Sequence, residues 1–542
     1  MATTKNLVKL FDRPKELCIM PKGDDKTIFD VPAEYLPDQY KTVGVQLVSK
    51  FGGEAVGGKI QVKPISIPYL GDVLDLKRDE NFSLFLPRHR QIAGQLINIY
   101  IGMRNTDDLL SIAVYTRDRV NPYLFNYALS VALLHRPDTQ NVDLPSFIKS
   151  FPDKYVDGKV FARAREETNI VPTGTTRSPI EIPMDFTASN LEMEHRLAYF
   201  REDLGINLHH WHWHLVYPFD GAFEVVNKNR RGELFYYMHQ QIMARYNFER
   251  LCNSLSRVER FINWRKPIPE AYFPKLDSLV ASRGWPSRVA NQSWSNLRRE
   301  TDQVTQDIDD LERWRDRIFE VIHNGRARRA DGTFVQLTEN EGIDILGNII
   351  ESSILSPDRD FYGDLHNMGH VFTSYVHDPD HRHLVSNFNL HMQQGQNTIT
   401  RASTESTVTI PFARTFRNLD TNRPEGGDGL EQFNFCGCGW PQHMLVPMGN
   451  SLGFRCELFV MISNYDDDRV VQDISGVCND ADVFCGVKDK LYPDRRSMGY
   501  PFDRQPRVGV DTLQQFLTPN MRVQDISIRF TNTSVQPRPN NK

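Results

Sequence analysis

Histidine pairs at a spacing of four residues occur in two separate stretches of the chain. The stretch NLHHWHWHLVYPFD contains His210 and His214, and the stretch YGDLHNMGH contains His366 and His370. Residues four apart lie on one face of a helix with Cβ atoms about 5–6 Å apart, so two imidazoles can reach the same metal ion. The spacing therefore predicts two metal-binding pairs, each on its own helix, and Pro218 ends the first of these helices.

A fifth histidine, His239, lies on the apolar face of the stretch RRGELFYYMHQQIMARYNFERLC. It follows Phe235 by four residues and precedes Ile242 by three, so a further helix directs it toward the core. A single histidine on an apolar face is usually a core residue, and that interpretation stays open here. The alternative is a third imidazole beside the pairs, because burying several polar rings is costly unless each has a partner such as a metal ion.

The residue types favour copper over zinc. A zinc protease has the motif HExxH, with the glutamate as general base, and neither pair has a glutamate after its first histidine. Sites made of imidazoles alone, without thiolate or carboxylate ligands, suit copper. Two such sites that face each other can hold two ions about 4 Å apart and bind dioxygen. The histidines that we expect to be structural or supporting groups are His209, His212, His377, His381 and His383.

Length and charge limit the classes of protein that fit this chain. Its 542 residues correspond to about three domains. The formal net charge is −5 without a long basic run, so binding to nucleic acid or to an anionic membrane has no electrostatic support. No stretch has the roughly 18 apolar residues that a bilayer requires, and the charged N-terminus lacks a signal-peptide core. We expect a protein made in the cytosol, or exported by another route.

Three patterns follow one another along the chain and must position the histidines. Residues 1–75 are rich in Pro, Gly and Asp and predict an irregular arm with a few strands. From about 84 to 380 the spacing is helical, and TDQVTQDIDDLERWRDRIFEVIHNG predicts a long helix ending at Asn324 and Gly325. After about 385, short β-branched and aromatic segments such as STVTIPF, CELFVMISNY, DVFCGV and VQDISIRFTN predict an antiparallel β-sandwich.

Cysteines and a glycine-rich stretch add two expectations. Five of the seven cysteines fall in the last quarter, which indicates local disulfides and an oxidising medium. Reduced core cysteines are the alternative, and a zinc site is weaker still because no CxxC is present. The stretch VSKFGGEAVGG places Lys50 before Phe51 and a flexible run, which is typical of a protease-sensitive loop and equally of a simple loop.

Long motifs spread along almost the whole chain carry a family resemblance. They include LFDRP, MPKGDD, RDENFSLFLPRHR, RDRVNPYLFNYALSVALLHRPDT, HHWHWHLVYPFD, YGDLHNMGHVFTSYVHDPDHRH, TESTVTIPFARTFRN and FNFCGCGWPQH. On these motifs the sequence resembles the arthropod prophenoloxidases, in the hemocyanin superfamily of type 3 copper proteins. The resemblance implies an α+β multidomain fold with an irregular N-terminal pro-region, a helical type 3 copper domain and a truncated C-terminal antiparallel β-sandwich. The predicted limits are 1–50 for the pro-segment, 51–190 for a mostly helical domain, 191–386 for the dicopper domain and 387–542 for the partial immunoglobulin-like sandwich.

The resemblance also implies an activity and its setting. Family members use dioxygen to oxidise monophenols and catechols to quinones, which feed melanin formation in immunity, wound healing and cuticle hardening. A serine protease activates the zymogen by cutting after a basic residue before Phe-Gly, which matches Lys50 and Phe51, although arginine is more usual at the first position. Members are usually dimers of the same or related subunits, and they reach the hemolymph without a signal peptide when blood cells rupture.

Carried over by position, the first copper ligands would be His210, His214 and His239. The second copper would be bound by His366 and His370 plus one more histidine.

Further site residues also follow from the resemblance. A phenylalanine of NFSLF would plug the substrate site of the zymogen, with Phe85 the first candidate, Phe82 the second and a packed core side chain the alternative. The family pattern of two disulfides would join Cys436 to Cys478 and Cys438 to Cys485, leaving Cys456 as a buried free thiol.

The chain departs from the family after HDPDHRH. The next segment resembles a strand from deep inside the family's β domain, so we predict that a long internal piece is missing, with the join near Ser386 to Phe388. That piece carries the third ligand of the second copper and a carboxylate of the catalytic site, so no catalytic acid or base is assigned. His391 points away from the apolar face of its strand, and His381 and His383, which follow Pro379, would have to swing inward, so none of the three is a good substitute. We expect an intact first copper and a weak or empty second one.

Besides an active enzyme, several other interpretations of the chain therefore stay open. The chain could be a splice variant or pseudo-enzyme that pairs with complete subunits, or a non-enzymatic relative of hexamerin or hemocyanin type. It could also be an incomplete gene model of an active enzyme.

Overall fold

The computed structural model describes residues 2–21, 27–51, 58–139, 142, 144–154, 158–170, 180–181, 193–201, 204–272, 288, 290–376, 399–400, 447, 449–471, 491–492 and 494–529. The first α-helices are α1 Ala2–Lys9, α2 Lys41–Phe51, α3 Pro87–Ile101, α4 Thr106–Arg117, α5 Pro122–His135, α6 Phe147–Ser150, α7 Gly158–Ile170 and α8 Ala198–Arg201. They are followed by α9 Leu204–Val216, α10 Phe223–Val226, α11 Arg231–Cys252, α12 Ile308–Asn324, α13 Gly342–Glu351, α14 Arg359–Tyr362, α15 Leu365–Tyr375, α16 Tyr465–Asp468 and α17 Leu513–Phe516. None of these described helices is both long and apolar enough to span a bilayer.

Short strands and 3-10 turns connect the helices. The strands are β1 Ile28–Asp30, β2 Lys59–Gln61, β3 Ile180–Glu181, β4 Leu297–Arg299, β5 Val304–Gln306, β6 Arg326–Arg328, β7 Phe334–Gln336, β8 Ile399–Thr400, β9 Phe454–Met461 and β10 Met521–Ile528. The 3-10 turns are Ala33–Tyr35, Asp38–Tyr40, Gly71–Leu74, Pro152–Lys154 and Met193–Leu197. Each described strand pairs with one other, so the sheets are two-stranded within the described ranges.

Helix α5 is the centre of the N-terminal helical layer. The side chain of Asn121 caps the helix by accepting hydrogen bonds from the amides of Tyr123 and Leu124. Every residue from Pro122 to Leu134 is buried, as expected of a helix that is surrounded by protein on all sides. Helices α3, α4 and α9 pack around it, so the N-terminal layer and the first histidine helix share one core.

The N-terminal arm is more regular than its composition predicts. It contains helices α1 and α2 besides the parallel pair β1–β2. Leu7 and Leu10 are fully buried. The buried guanidinium of Arg117 donates hydrogen bonds to the backbone carbonyls of Leu10 and Asp12. The prediction of an irregular arm is wrong for these two helices. A side chain on α4, far along the sequence, binds the segment that follows α1.

Helix α12 begins later than its periodicity predicts and ends where predicted. Asp307 and Asp310 form a capping box, in which each side chain accepts a hydrogen bond from the backbone amide of the other. The residues before the box pair as β5 with β4, so the start of the periodic stretch is a strand. The predicted end is confirmed, because Gly325 follows Asn324 with a left-handed φ of 62°.

Helices α9, α11, α13 and α15 form the bundle that positions the histidines. Helices α11 and α13 touch through their backbones, because a Cβ on Gly347 would overlap the carbonyl oxygen of Gly232. Beside this contact, Arg231 and Glu351 form a fully buried bidentate ion pair with N–O distances of 2.9 Å. Arg231 also donates to the carbonyl of Pro218, so the chain just after α9 is tied to α11 and α13.

In the described part of the C-terminal domain, β9 and β10 form an antiparallel ladder. Its register runs from Phe454 opposite Ile528 to Met461 opposite Met521. The ladder lies beside the end of α11, where the rings of Phe248 and Phe454 are 6.3 Å apart. Residues 456–461 of CELFVMISNY and residues 523–528 of VQDISIRFTN therefore form strands as predicted. The predicted strands STVTIPF and DVFCGV lie outside the described residues.

Candidate metal centre

Helix α9 presents His210 and His214 on one face, and aromatic residues next to that face anchor the helix in the core. Trp213 is fully buried and stacks on Tyr217, with ring centroids 4.3 Å apart. The helix ends at Val216, two residues before the proline that was expected to stop it. The buried tryptophan therefore fixes the rotation of the helix, and with it the direction of both imidazoles.

Helices α11 and α15 supply the other three imidazoles. On α11, Nδ1 of His239 lies 2.8 Å from the carbonyl oxygen of Phe235. A carbonyl oxygen can only accept, so Nδ1 carries the proton and Nε2 keeps a free lone pair. On α15, His366 and His370 lie one turn apart, and Asp364 precedes the helix as its N-cap residue.

The geometry within each histidine pair suits one shared ion. The Nε2 atoms are 3.1 Å apart in both pairs. Ring centroids are 4.8 Å apart for His210 and His214 and 4.7 Å apart for His366 and His370. Two nitrogens that each lie about 2.0–2.1 Å from a metal ion subtend an angle of about 100° at that separation. Each pair can therefore fill two neighbouring positions in the coordination shell of one ion.

The two pairs and His239 line one common space. The ring centroids of His210 and His370 are 6.2 Å apart, so the pairs face each other. His239 lies 5.8 Å from both His210 and His366, farther than the 4.8 Å within the first pair. In the described ranges, no three His, Cys, Asp or Glu side chains are close enough as they stand to hold one ion. A three-imidazole site therefore requires His239 to move toward the first pair.

Burial keeps the imidazoles of the site neutral. Loss of contact with water lowers the pKa of His210, His214 and His366 well below the usual 6.5, and the neighbouring histidines lower it further. The same desolvation lowers the pKa of His370 to about 4, and it also lowers the pKa of His239. At neutral pH all five rings therefore present lone pairs that a metal ion can use.

The donor types fit copper at both pairs, and three imidazoles are available at the first pair once His239 moves toward it. His210, His214 and His239 are three neutral imidazoles, and the Nδ1 proton of His239 is held by a carbonyl, as is common for metal-binding histidines. In the part of the chain that the structure describes, no histidine beyond these five lies beside His366 and His370 to act as a third ligand. The residues considered as substitutes, His377, His381, His383 and His391, lie outside the described residues.

Phe85 lies between the two histidine pairs. Its ring stacks on His370 at a centroid distance of 3.8 Å and an interplanar angle of 11°. The rings of His214 and His366 are each 6.0 Å away, with their planes nearly perpendicular to it. Phe82, the second candidate for the plug, stacks instead on a histidine of α3. Of the two, Phe85 is therefore the one that fills the space between the imidazoles.

Two further aromatic residues line the site and were not identified from the sequence. The ring of Phe219 lies 4.7 Å from that of His214. The ring of Phe235 lies 4.3 Å from His239 and 5.0 Å from His366. Phe235 could have been found from its i,i+4 relation to His239. Phe219 lies just after the end of α9, where no helical period predicts the direction of a side chain.

The remaining predicted residues are distributed over the rest of the chain. Lys50 and Phe51 are the last two residues of α2, so this part of the expected loop is helical, because the helix continues up to the first glycine. Cys456 is unpaired but only partly buried. Its predicted burial is wrong, because no residue of β9 is fully buried and the side of the strand with Cys456 is only partly covered. The four cysteines predicted to form disulfides, Cys436, Cys438, Cys478 and Cys485, lie outside the described residues.

Three domain families match consecutive parts of the chain. Residues 24–141 match the hemocyanin all-alpha domain, residues 147–396 the hemocyanin copper containing domain and residues 380–530 the hemocyanin ig-like domain. Phenoloxidase 1 of Holotrichia diomphalia is 53% identical, and the alignment covers 100% of both chains. Phenoloxidase 2 of Drosophila melanogaster is 48% identical, again over 100% of both chains.

Solved structures share the fold from end to end. A scorpion hemocyanin in its activated state superposes with a TM-score of 0.74 and 27% identity, covering 98% of this chain and 99% of the other. A hemolymph type prophenoloxidase from a crustacean superposes with a TM-score of 0.72 and 23% identity, covering 99% and 98%. The fold class is therefore confirmed as a helical N-terminal domain, a helical copper domain and an immunoglobulin-like C-terminal domain.

The alignments also show that an internal piece of the relatives is absent. The alignment with the Holotrichia protein runs over 686 positions and includes both complete chains, whereas this chain has 542 residues. The matches to the copper containing and ig-like domains overlap at residues 380–396, which includes the predicted join. Allowing for this shortening, the chain belongs to the insect prophenoloxidases of the hemocyanin family.

Proposed function

We propose that the chain is a zymogen which, once activated, uses dioxygen to oxidise monophenols and catechols to quinones for melanin formation in immunity, wound healing and the cuticle. The observation that carries the substrate class is the position of Phe85, whose ring stacks on His370 between the histidine pairs. A phenol ring has the same flat shape and nearly the same size, so the space that Phe85 fills suits a phenolic substrate. The names of the relatives, both phenoloxidases, support the reaction class.

The five histidines have defined roles in this proposal. His210, His214 and His239 bind the first copper ion, and His366 and His370 bind the second. Bound copper supplies the redox chemistry that activates dioxygen. The chain itself keeps the rings neutral through burial and surrounds them with aromatic side chains, which exclude water and favour a flat apolar ring.

Cleavage between Lys50 and Phe51 by a serine protease is the proposed activation step. Proteases of the trypsin type cut after lysine or arginine, and these two residues end α2 immediately before a glycine-rich run. The product would begin at Phe51, which N-terminal sequencing of the cleaved chain would identify.

A second candidate function is a non-enzymatic subunit. The observation that favours it is the second histidine pair, beside which the described residues supply no sixth histidine. Such a chain would be a splice variant or pseudo-enzyme that dimerises with a complete subunit, or a relative of hexamerin or hemocyanin type. It would bind copper at the first site without oxidising phenols.

The proposal extends to location and assembly. We infer extracellular hemolymph, reached by release from blood cells, and a dimer of identical or related subunits, because this setting accompanies the reaction in the family. Antibody detection in cell-free hemolymph and sedimentation of the purified chain would check the two points. Detection in cells alone, after wounding as well as before, would contradict the location.

Copper stoichiometry combined with oxygen uptake tests the proposed function. The purified chain is loaded with copper, washed with a weak chelator, cleaved with a trypsin-type protease and given a catechol. Two tightly held ions and catechol-dependent oxygen uptake would support the enzyme, and one ion without uptake would support the non-enzymatic subunit. A reversible oxygenated absorption band without turnover would indicate an oxygen carrier.

Histidine variants show whether the bound copper is in the proposed site. His210→Ala should remove the tightly held ion, because the first pair loses half of its donors. The matched control is His323→Ala, which changes an exposed histidine on α12. Equal copper contents in the two variants would place the metal elsewhere.

A further inference from the structure

We propose that Arg90 and Asp364 form a clamp, hereafter the Arg90 clamp, that holds Phe85 between the histidine pairs and so closes the site. Only one part of this inference rests on the proposed function, namely that a phenolic ring would take the place of Phe85. It makes Arg90 a positioning residue, acting on the site through the covering segment, residues 82–86.

The clamp contacts are direct. The Nη1 group of Arg90 donates a hydrogen bond to the carbonyl oxygen of Phe85 at 2.8 Å. The Nη2 group of the same guanidinium lies 2.5 Å from Oδ2 of Asp364. The side chain of Arg90 is 7% exposed and that of Asp364 is 21% exposed. The pair is thus shielded from water and salt, which strengthens it relative to a surface ion pair.

Asp364 connects the clamp to the helix that Phe85 covers. It is the N-cap residue of α15, yet its side chain makes no capping hydrogen bond. Its carboxylate instead binds Arg90 through one oxygen and accepts from Nδ2 of Asn367 through the other. The same helix carries His370, on which Phe85 stacks. Arg90 therefore fixes the covering segment and the face of α15 beneath it at the same time.

The first turn of α3 holds the covering segment at a second point. The backbone amide of Ser83 donates to Nδ1 of His89 at 3.1 Å, and the amide of Phe85 donates to Oγ of Ser83 at 3.3 Å. Arg90 follows His89 directly, so two consecutive side chains of α3 bind the segment on either side of its turn. A rigid guanidinium can hold a carbonyl and a carboxylate together, whereas a lysine ammonium lacks this fixed fork.

Hydrogen exchange of the uncleaved full-length chain tests the clamp. In Arg90→Lys and in Asp364→Asn, peptides covering residues 82–86 should exchange about tenfold faster than in the unchanged chain, because one charged hydrogen bond is lost. Peptides of α5 should exchange at unchanged rates, which a general loss of stability would not allow. The matched control is Arg88→Lys, because Arg88 lies on the same turn and pairs with Asp75 without touching Phe85.

The outcomes separate the clamp from the proposed function. Unchanged exchange of residues 82–86 in both clamp variants would overturn the clamp, whatever their activity. Faster exchange confined to that segment supports it, and Asp364→Asn keeps the size of the side chain should Arg90→Lys fail to fold. Faster exchange together with catechol oxidation by the uncleaved, copper-loaded variants supports both proposals. Faster exchange without oxidation in any variant, cleaved or not, supports the clamp and counts against the proposed function.

Discussion

At the scale of single residues, two buried histidines use their neutral rings in different ways. Burial lowers the pKa of both His89 and His370 to about 4. His370 stacks on Phe85 and directs Nε2 toward His366. His89 accepts a hydrogen bond from the amide of Ser83 through Nδ1, which a protonated ring cannot do. The covering segment and the site beneath it therefore both depend on uncharged imidazoles.

The low pKa of His89 predicts a pH dependence of stability. Its folded value of about 4 lies below the usual 6.5, so the unfolded chain binds more protons between these values. The free energy of unfolding therefore falls as the pH falls from about 6.5 toward 4. His89→Gln removes this titration and should weaken the fall by up to about 3 kcal/mol. Chemical unfolding of the metal-free chain at pH 7 and pH 4.5 measures the difference.

His323→Gln is the control for this prediction, because His323 is exposed on α12 and its removal should leave the pH dependence as it is in the unchanged chain. If His89→Gln behaves like His323→Gln, the ring of His89 is already charged in the folded protein and the prediction is wrong.

At the scale of elements, the histidine helices were the most predictable part of the site. Residues four apart face one way, so each i,i+4 pair was visible in the sequence. The start of α12 was not predictable, because the same periodic pattern already begins in β5. Only the capping box of Asp307 and Asp310 separates the strand from the helix. Helix α1 was missed since it depends on Arg117. The pairing of Arg90 with Asp364 joins distant parts of the chain, which no local pattern reports.

The contact between α11 and α13 gives an element-scale prediction. Gly347→Ala places a methyl group against the carbonyl of Gly232, which must push the helices apart. We expect a lower melting temperature, with a loss of at least about 3 kcal/mol, and weaker copper binding because α11 carries His239. Gly369→Ala is the matched control, because nothing lies within 4 Å of its added Cβ. That variant should gain about 0.5–1 kcal/mol from helix propensity.

Differential scanning fluorimetry and copper content, measured on the two glycine variants in parallel, check this prediction. Similar melting temperatures for both would mean that α11 and α13 are separated by more than the backbone contact allows.

At the scale of the whole molecule, the main feature is the internal piece that the relatives have and this chain lacks. The family resemblance located the join from sequence, because the motifs on either side are intact. The join lies where the matches to the copper containing domain and the ig-like domain overlap, so the missing piece concerns both domains.

Restoring the piece gives a prediction for the whole molecule. The segment of the Holotrichia relative that has no counterpart here is inserted at the predicted join, directly after Asn387. We expect the tightly held copper to rise from one to two ions per chain, because the resemblance predicts that this segment carries the third ligand. We also expect the melting temperature to rise as the added strands cover the ladder. A glycine-serine insert of equal length is the control. Two tight ions in the chain without an insert would contradict the prediction.

The glycine contact described above also has a mechanical consequence. Where helices pack through side chains, rotamers can yield and absorb small shifts between the helices. At Gly232 and Gly347 no side chain lies between the helices, because the two backbones are in direct contact. Gly232 also precedes His239 by two helical turns. We therefore expect a displacement of α13 to move α11, and with it the imidazole of His239, as one rigid unit.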